Sequence, residues 1–296
     1  MPKAIVATAL AVILAVLSSC ASAPSPMARE WYDLGVSWQE KGDWKKAGEA
    51  YSKALSLDPS LAAASYNLAR ALTESGDFKG ALRTLDDLAE RDPGNVRVLA
   101  ARAYALYRRG DAKAALEAYR EALALDPYSP DSVYNASLLE LAAGNPSAAA
   151  DMLSRLTKAK PEDGEAVALL GRALDRAGRT EEALAAYESS RELGKASPSD
   201  LSRLGEIREE RKEYSEAMEA YAAAVKAAPK MSGTWFRLAR LKLTVAGDGE
   251  QGLAALKSAI DSGFSDEEKA AALLDEPTLV EREKVLALLE PVGPSE

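Results

Sequence analysis

The chain has 296 residues, 47% of them hydrophobic, with 37 basic against 46 acidic side chains and a formal net charge of −9. It contains no histidine and one cysteine, Cys20, which removes the commonest general base and metal ligand and excludes an intrachain disulfide or a thiolate cage. The acidic balance argues against nucleic acid as a partner, because neutralising phosphates needs clustered Lys and Arg.

In chain order, Lys3 supplies a small basic start, and Ala4 to Leu17 an apolar stretch too short to span a bilayer comfortably. Leu17-Ser18-Ser19-Cys20 follows. This resembles the lipobox of bacterial lipoproteins. The resemblance implies that residues 1–19 are a lipoprotein signal peptide and that Cys20 is lipidated and becomes the mature N-terminus. The alternative is an ordinary signal peptide cleaved near Ala21 or Ala23. The three acyl chains such lipoproteins carry would anchor the chain far more firmly than a single chain can. Residues 20–27 then form a lipidated tether, polar and proline-bearing. At about 3.3 Å per extended residue it holds the next segment within roughly 25 Å of the lipid. Ala21 after the cysteine resembles outer-membrane-sorted lipoproteins, which implies the periplasmic face of the outer membrane in preference to the inner membrane.

From residue 28 the chain follows a 34-residue beat. Pro59, Pro93, Pro127, Pro161 and Pro229 lie on it, with Lys195 in the one missing slot. Gly42, Gly76, Gly110, Gly144 and Gly178 keep the same spacing, as do Ala47, Ala81, Ala115, Ala149, Ala183 and Ala217. Six full repeats result (28–61, 62–95, 96–129, 130–163, 164–197 and 198–231). A seventh, 232–265, carries one extra residue near Gly247-Asp248-Gly249. Each unit reads as a first helix with apolar groups at i, i+3, i+4 and i+7, as in Trp31, Leu34, Gly35 and Trp38. A left-handed glycine ends that helix. Asp43, Asp77, Asp111 or Asn145 can then N-cap a second helix. Asp-Pro closes the unit at Asp58-Pro59, Asp92-Pro93 and Asp126-Pro127. Ser129-Pro130, Asn145-Pro146 and Ser197-Pro198 place a cap before a helix-starting proline. Repeats five and six lose the closing proline and the turn glycine at Lys195 and Lys212, so their junction is the expected site of altered curvature or a weak seam.

Trp31, Leu34, Gly35, Trp38, Gly42, Trp44, Ala47, Tyr51, Ala54 and Pro59 resemble the tetratricopeptide repeat pattern, and the resemblance covers residues 28–265. It implies an all-α, right-handed superhelical α-solenoid of about seven helix-turn-helix units. Beyond it, Ser265-Asp266-Glu267-Glu268 and Thr278-Leu279-Val280-Glu281 read as capping boxes. They predict C-terminal capping helices within 266–290, at about 266–275 and 278–290, broken by Pro277, before a frayed tail 291–296.

In that family the first helices line a concave groove, with specificity at repeat positions 2, 5, 6, 9, 12 and 13. Position 5 gives Tyr32, Tyr66, Tyr134 and Phe236; position 9 gives Arg70, Tyr104, Arg172 and Arg240. Position 6 gives Asn67 and Asn135, and positions 12 and 13 add Tyr107, Arg108 and Arg176. Arginine forks match carboxylates, tyrosine gives rigid amphipathic contact, and the asparagines can bond an extended backbone. The expected ligand site is therefore Tyr66, Asn67, Arg70, Tyr104, Tyr107, Arg108, Tyr134, Asn135, Arg172 and Arg176. The competing reading is a solvated face whose arginines pair with Asp131, Glu165, Asp175 and Glu206. Trp31, Trp38, Trp44 and Trp235 sit at packing positions. The Lys and Asn pattern of the chaperone-type carboxylate clamp is absent.

The sequence thus points to a membrane-anchored, non-catalytic scaffold of the bacterial cell envelope. It would hold a peptide segment or helix of another envelope protein, without a cofactor, a metal or nucleic acid. An accessory role in polysaccharide export, contacting an anionic glycan, is the alternative, and tyrosine with arginine serves either ligand.

Overall fold

The computed structural model describes residues 25–290, and among these it contains sixteen α-helices, one π-helical turn and no strand. The proposed lipidation site Cys20 and the tail 291–296 lie outside the described residues. Of the described residues, 25–126 form one compact unit and 127–290 a second.

The first unit holds three helix pairs: α1 (Pro26–Glu40) with α2 (Trp44–Leu57), α3 (Ala62–Ser75) with α4 (Phe78–Arg91), and α5 (Val96–Arg108) with α6 (Ala112–Leu125). The second continues with α7 (Pro130–Ala142) and α8 (Pro146–Ala159), α9 (Gly164–Arg176) and α10 (Thr180–Glu192), then α11 (Pro198–Glu210) and α12 (Tyr214–Ala227). A seventh pair, α13 (Ser232–Leu241) and α14 (Gly249–Asp261), is followed by α15 (Glu267–Asp275) and α16 (Arg282–Leu289).

Local chemistry explains the boundaries. Gly42, Gly76, Gly110, Gly144 and Gly178 all adopt positive φ at the end of a first helix, a conformation that costs an L side chain about 1–2 kcal/mol. Lys212 takes the same conformation, φ +63°, where repeat six lacks its glycine. The carboxylates of Asp43, Asp77 and Asp111 accept from the backbone N–H three residues on. Asn145 departs from the expected pattern: it occupies the N-cap position, but its side-chain amide donates instead to buried Glu140. Where repeat five lacks a closing proline, Gly194 at φ +68° ends α10, and the N–H of Lys195 donates to the Ser190 carbonyl at 2.8 Å.

Between paired helices the core is built from alanine, leucine and tyrosine. Ala47, Ala81, Ala115, Ala149, Ala183 and Ala217 are all fully buried. Gly35, Gly171 and Gly205 let Tyr51, Tyr187 and Tyr221 cross them so closely that a Cβ would meet the ring at 2.6, 2.8 and 2.5 Å.

Beyond the repeats, the structure corrects both predicted capping boxes. The extra residue of repeat seven falls where expected, next to Gly247-Asp248-Gly249, and is absorbed as a π-helical turn over Lys242–Ala246. A π turn widens the backbone ring and frees a carbonyl from the α ladder. The Leu243 carbonyl accepts from the N–H of Val280 at 3.1 Å, tying this turn to the C-terminal segment. That use of Val280 also displaces the second predicted capping box, and α16 begins at Arg282 after a left-handed Glu281. Asp266, one residue beyond Ser265, caps α15 through the Lys269 N–H. The division between units falls at Asp126–Pro127, and within the second unit the junction of repeats five and six, the expected weak seam, is more sparsely packed than the junctions on either side of it.

Candidate functional site

In the first unit, the first helices α1, α3 and α5 bring the expected recognition positions to a common face. Tyr32, Tyr66, Asn67, Asn95, Arg97 and Val98 line an open cleft of about 310 Å³. Asn67 Nδ2 donates to the Tyr32 hydroxyl at 3.2 Å, which fixes both side chains across adjacent repeats. The Arg97 guanidinium sits 5.0 Å from the centre of the Tyr66 ring, within cation–π range. Behind this cleft, burial pushes the Tyr51 phenol up to about 12, with the neighbouring Tyr32 adding to the rise.

Further along α3 and α5, Arg108 donates to Glu74 at 2.6 Å and to the Tyr104 hydroxyl at 2.8 Å. Tyr104 and Arg108 therefore form a fixed brace between repeats. Tyr107 is 49% exposed, and Arg70 is exposed with no ion pair among the described residues. Arg97 is a residue that sequence reasoning missed. It occupies repeat position 2, so register alone would have found it.

The second unit is different in character. Arg172 donates to Asp200 Oδ2 at 2.9 Å, and Asp200 is 2% exposed. The same carboxylate closes a capping box with Ser197 at the start of α11. Arg203 forks onto Asp175 and also reaches Glu206, while Arg237 meets Glu206 and Arg240 meets Glu209. Glu209 in turn accepts from the Tyr221 hydroxyl at 2.9 Å. Successive first helices are thus laced by ion pairs. Asp175 and Glu206 pair with arginine as the solvated-face reading expected. Glu165 is met by Lys195 at 3.2 Å, and Asp131 forms no ion pair among the described residues. Tyr134 and Asn135 are half-buried on α7, and Arg176 is exposed without an ion pair among the described residues. The ten expected site residues therefore fall into two groups. Tyr66, Asn67, Arg70, Tyr104, Tyr107 and Arg108 share one unit, and Tyr134, Asn135, Arg172 and Arg176 lie in the other.

None of the four tryptophans is a fully buried core residue. Trp38 and Trp44 pack against Ala47, Tyr51 and Ala71, Trp235 packs on the C-terminal core and donates to the Pro229 carbonyl, and Trp31 is half-exposed on α1. Among the described residues no group of three or more His, Cys, Asp or Glu could hold a metal ion, and no helix is long and apolar enough to cross a membrane.

Helix pairs repeated at about 34 residues, the first helix of each ended by a left-handed turn and packed small-on-large against the second, define a helical repeat solenoid. The chain is a tetratricopeptide repeat protein. The cytochrome c-type biogenesis protein H TPR domain matches residues 13–132, and two tetratricopeptide repeat families match 134–200 and 201–231. No curated protein matches in a sequence search. Among solved structures, PilF of Pseudomonas aeruginosa is 20% identical, with a TM-score of 0.59, covering 69% of this chain and 92% of its own. A tetratricopeptide repeat protein from Parabacteroides merdae is 16% identical, with a TM-score of 0.54, over 84% of this chain and 98% of its own. YrrB, described as a TPR protein with an unusual peptide-binding site, is 20% identical, with a TM-score of 0.53, over 63% and 96%. These likenesses are likenesses of fold.

Proposed function

We propose that the protein is a lipid-anchored, non-catalytic scaffold of the bacterial cell envelope that holds an extended segment of a partner protein against α1, α3 and α5. The observation that carries this reading is the cleft of Tyr32, Tyr66, Asn67 and Arg97, with exposed Arg70 one turn on. It combines flat aromatic surface, amide hydrogen bonding and an unpaired cation, the chemistry of peptide recognition. YrrB, with the same fold, supports a peptide ligand by analogy only. A polyanionic glycan is the weaker reading, because Arg108 and Arg172 already hold Glu74 and Asp200. Membrane attachment through Cys20, at the outer membrane, rests on the lipobox resemblance.

The test is affinity capture from native envelope with wild type and a Tyr66→Ala, Arg70→Ala, Arg97→Ala variant of unchanged helicity. Selective loss of a protein from the variant, with direct binding of that protein's segment shown afterwards, is the expected result. Equal retention of every protein partner by both would remove the groove reading.

A further inference from the structure

α1 carries an apolar stripe that the described chain covers only in part, at Trp38. Met27, Trp31, Leu34 and Trp38 follow at i, i+4, i+7 and i+11, within roughly 40° of one line along the helix at 100° per residue. Met27 is 56% exposed and Leu34 40% exposed. Later repeats show what this face is built for. At the position of Leu34, Leu204 and Leu238 are 1% and 3% exposed, and at the position of Trp31, Val133, Val167 and Leu201 are all buried. Inside the array these positions pack into the solenoid, whereas in repeat one they form its open end. The two largest side chains of the series, Trp31 and Trp38, share that end.

We propose that this face of α1 lies on the surface of the membrane that carries the anchor, so that α1 rests in the lipid interface and sets the orientation of repeat one. The inference rests on the lipidation of Cys20. Only five residues, Ala21-Ser22-Ala23-Pro24-Ser25, separate that cysteine from α1, so the stripe starts within about 20 Å of the acyl chains even if they are fully extended. Those residues are small or polar and cannot themselves supply an apolar cover. The side-chain chemistry also fits an interface better than a protein groove. Tryptophan favours the headgroup region, where its ring is half in hydrocarbon and half in water. Lys41 and Lys46 place their ammonium groups 4.9 and 4.4 Å from the Trp38 ring, within cation–π range, and Lys46 also pairs with Asp43 at 2.7 Å. The stripe runs about 17 Å along the helix, the geometry of a helix lying flat.

The experiment uses the full mature protein in phosphatidylethanolamine–phosphatidylglycerol vesicles with brominated acyl chains, which quench only tryptophans at lipid depth. Mass spectrometry of the N-terminal peptide reports lipidation separately. The lipidated wild type should be quenched, a Trp31→Tyr, Trp38→Tyr variant should lose the bromine-dependent part, and Leu34→Asp should reduce it with helicity unchanged. A lipidated protein that shows no bromine quenching overturns the docking and leaves the anchor intact. A Cys20 that carries no lipid removes both. A wild-type dimer in sedimentation that Leu34→Asp dissociates, again without quenching, would assign the stripe to a second copy and overturn the proposal.

Discussion

Gly171 and Tyr187 show how a single pair of residues sets the spacing within a repeat. Tyr187 is 2% exposed, and a Cβ on Gly171 would stand 2.8 Å from its ring. Glycine to alanine in a helix normally gains about 1 kcal/mol, but overpacking a rigid core costs about 1–3 kcal/mol. The balance leaves Gly171→Ala destabilising by about 0–2 kcal/mol, according to how far the Tyr187 ring can shift. Repeat two shows the compatible alternative, with Ala69 and Leu85 at the corresponding positions, 0% and 1% exposed. Urea unfolding of Gly171→Ala, Tyr187→Leu and the double variant should therefore reveal a favourable coupling of about 1 kcal/mol or more. Additive losses would mean that the glycine answers to helix geometry and not to the ring.

At the level of elements, what was legible in the sequence was what is decided within a few residues. The turn glycines and the aspartate caps follow from local backbone chemistry, and Asp43, Asp77 and Asp111 cap as their spacing predicts. The place of the excess residue in repeat seven was legible near Gly247, but not the π turn that absorbs it, because a one-residue excess does not say whether a helix widens or a loop lengthens. Thr278 failed as a cap for a related reason: Val280 is engaged by Leu243, 37 residues earlier. The arginines divided into braces and exposed groups through partners 28 to 34 residues away, as Arg172 with Asp200 and Arg108 with Glu74, a choice that repeat position does not encode. The caps themselves make a prediction. A side-chain bond from Lys46 holds the Asp43 carboxyl below its usual range, and Lys269 does the same for Asp266. A carboxyl with a lowered folded pKa stabilises the fold above its unfolded value, and that contribution is lost as pH falls through the folded value. The thermal midpoint should accordingly drop as pH falls below about 4. Asparagine keeps the cap acceptor without the charge, so an Asp43→Asn, Asp266→Asn variant should match wild type more closely at acid pH than at neutral pH. An unchanged acid slope in that variant would place the acid sensitivity elsewhere.

For the molecule as a whole, the two ends of the repeat series are finished differently. The first repeat leaves Met27 and Leu34 open, whereas the seventh is closed by α15 and α16. Leu273, Leu279 and Val285 pack with Leu241, Leu243 and Leu256 into one core, with Leu273 and Val285 fully buried. The Val280–Leu243 backbone bond locks this closure to the π turn. In a solenoid each unit is stabilised mainly by its neighbours, so an exposed apolar end is where unfolding starts. Leu273→Ala should cost about 2–5 kcal/mol, and the loss should be local. Hydrogen exchange should accelerate across α13–α16 and leave α1–α6 close to wild type, with the overall melting transition broadened toward low temperature. Uniformly faster exchange throughout the chain would show that the array unfolds as one cooperative body, and that the C-terminal helices contribute to its global stability and do not merely close its last repeat.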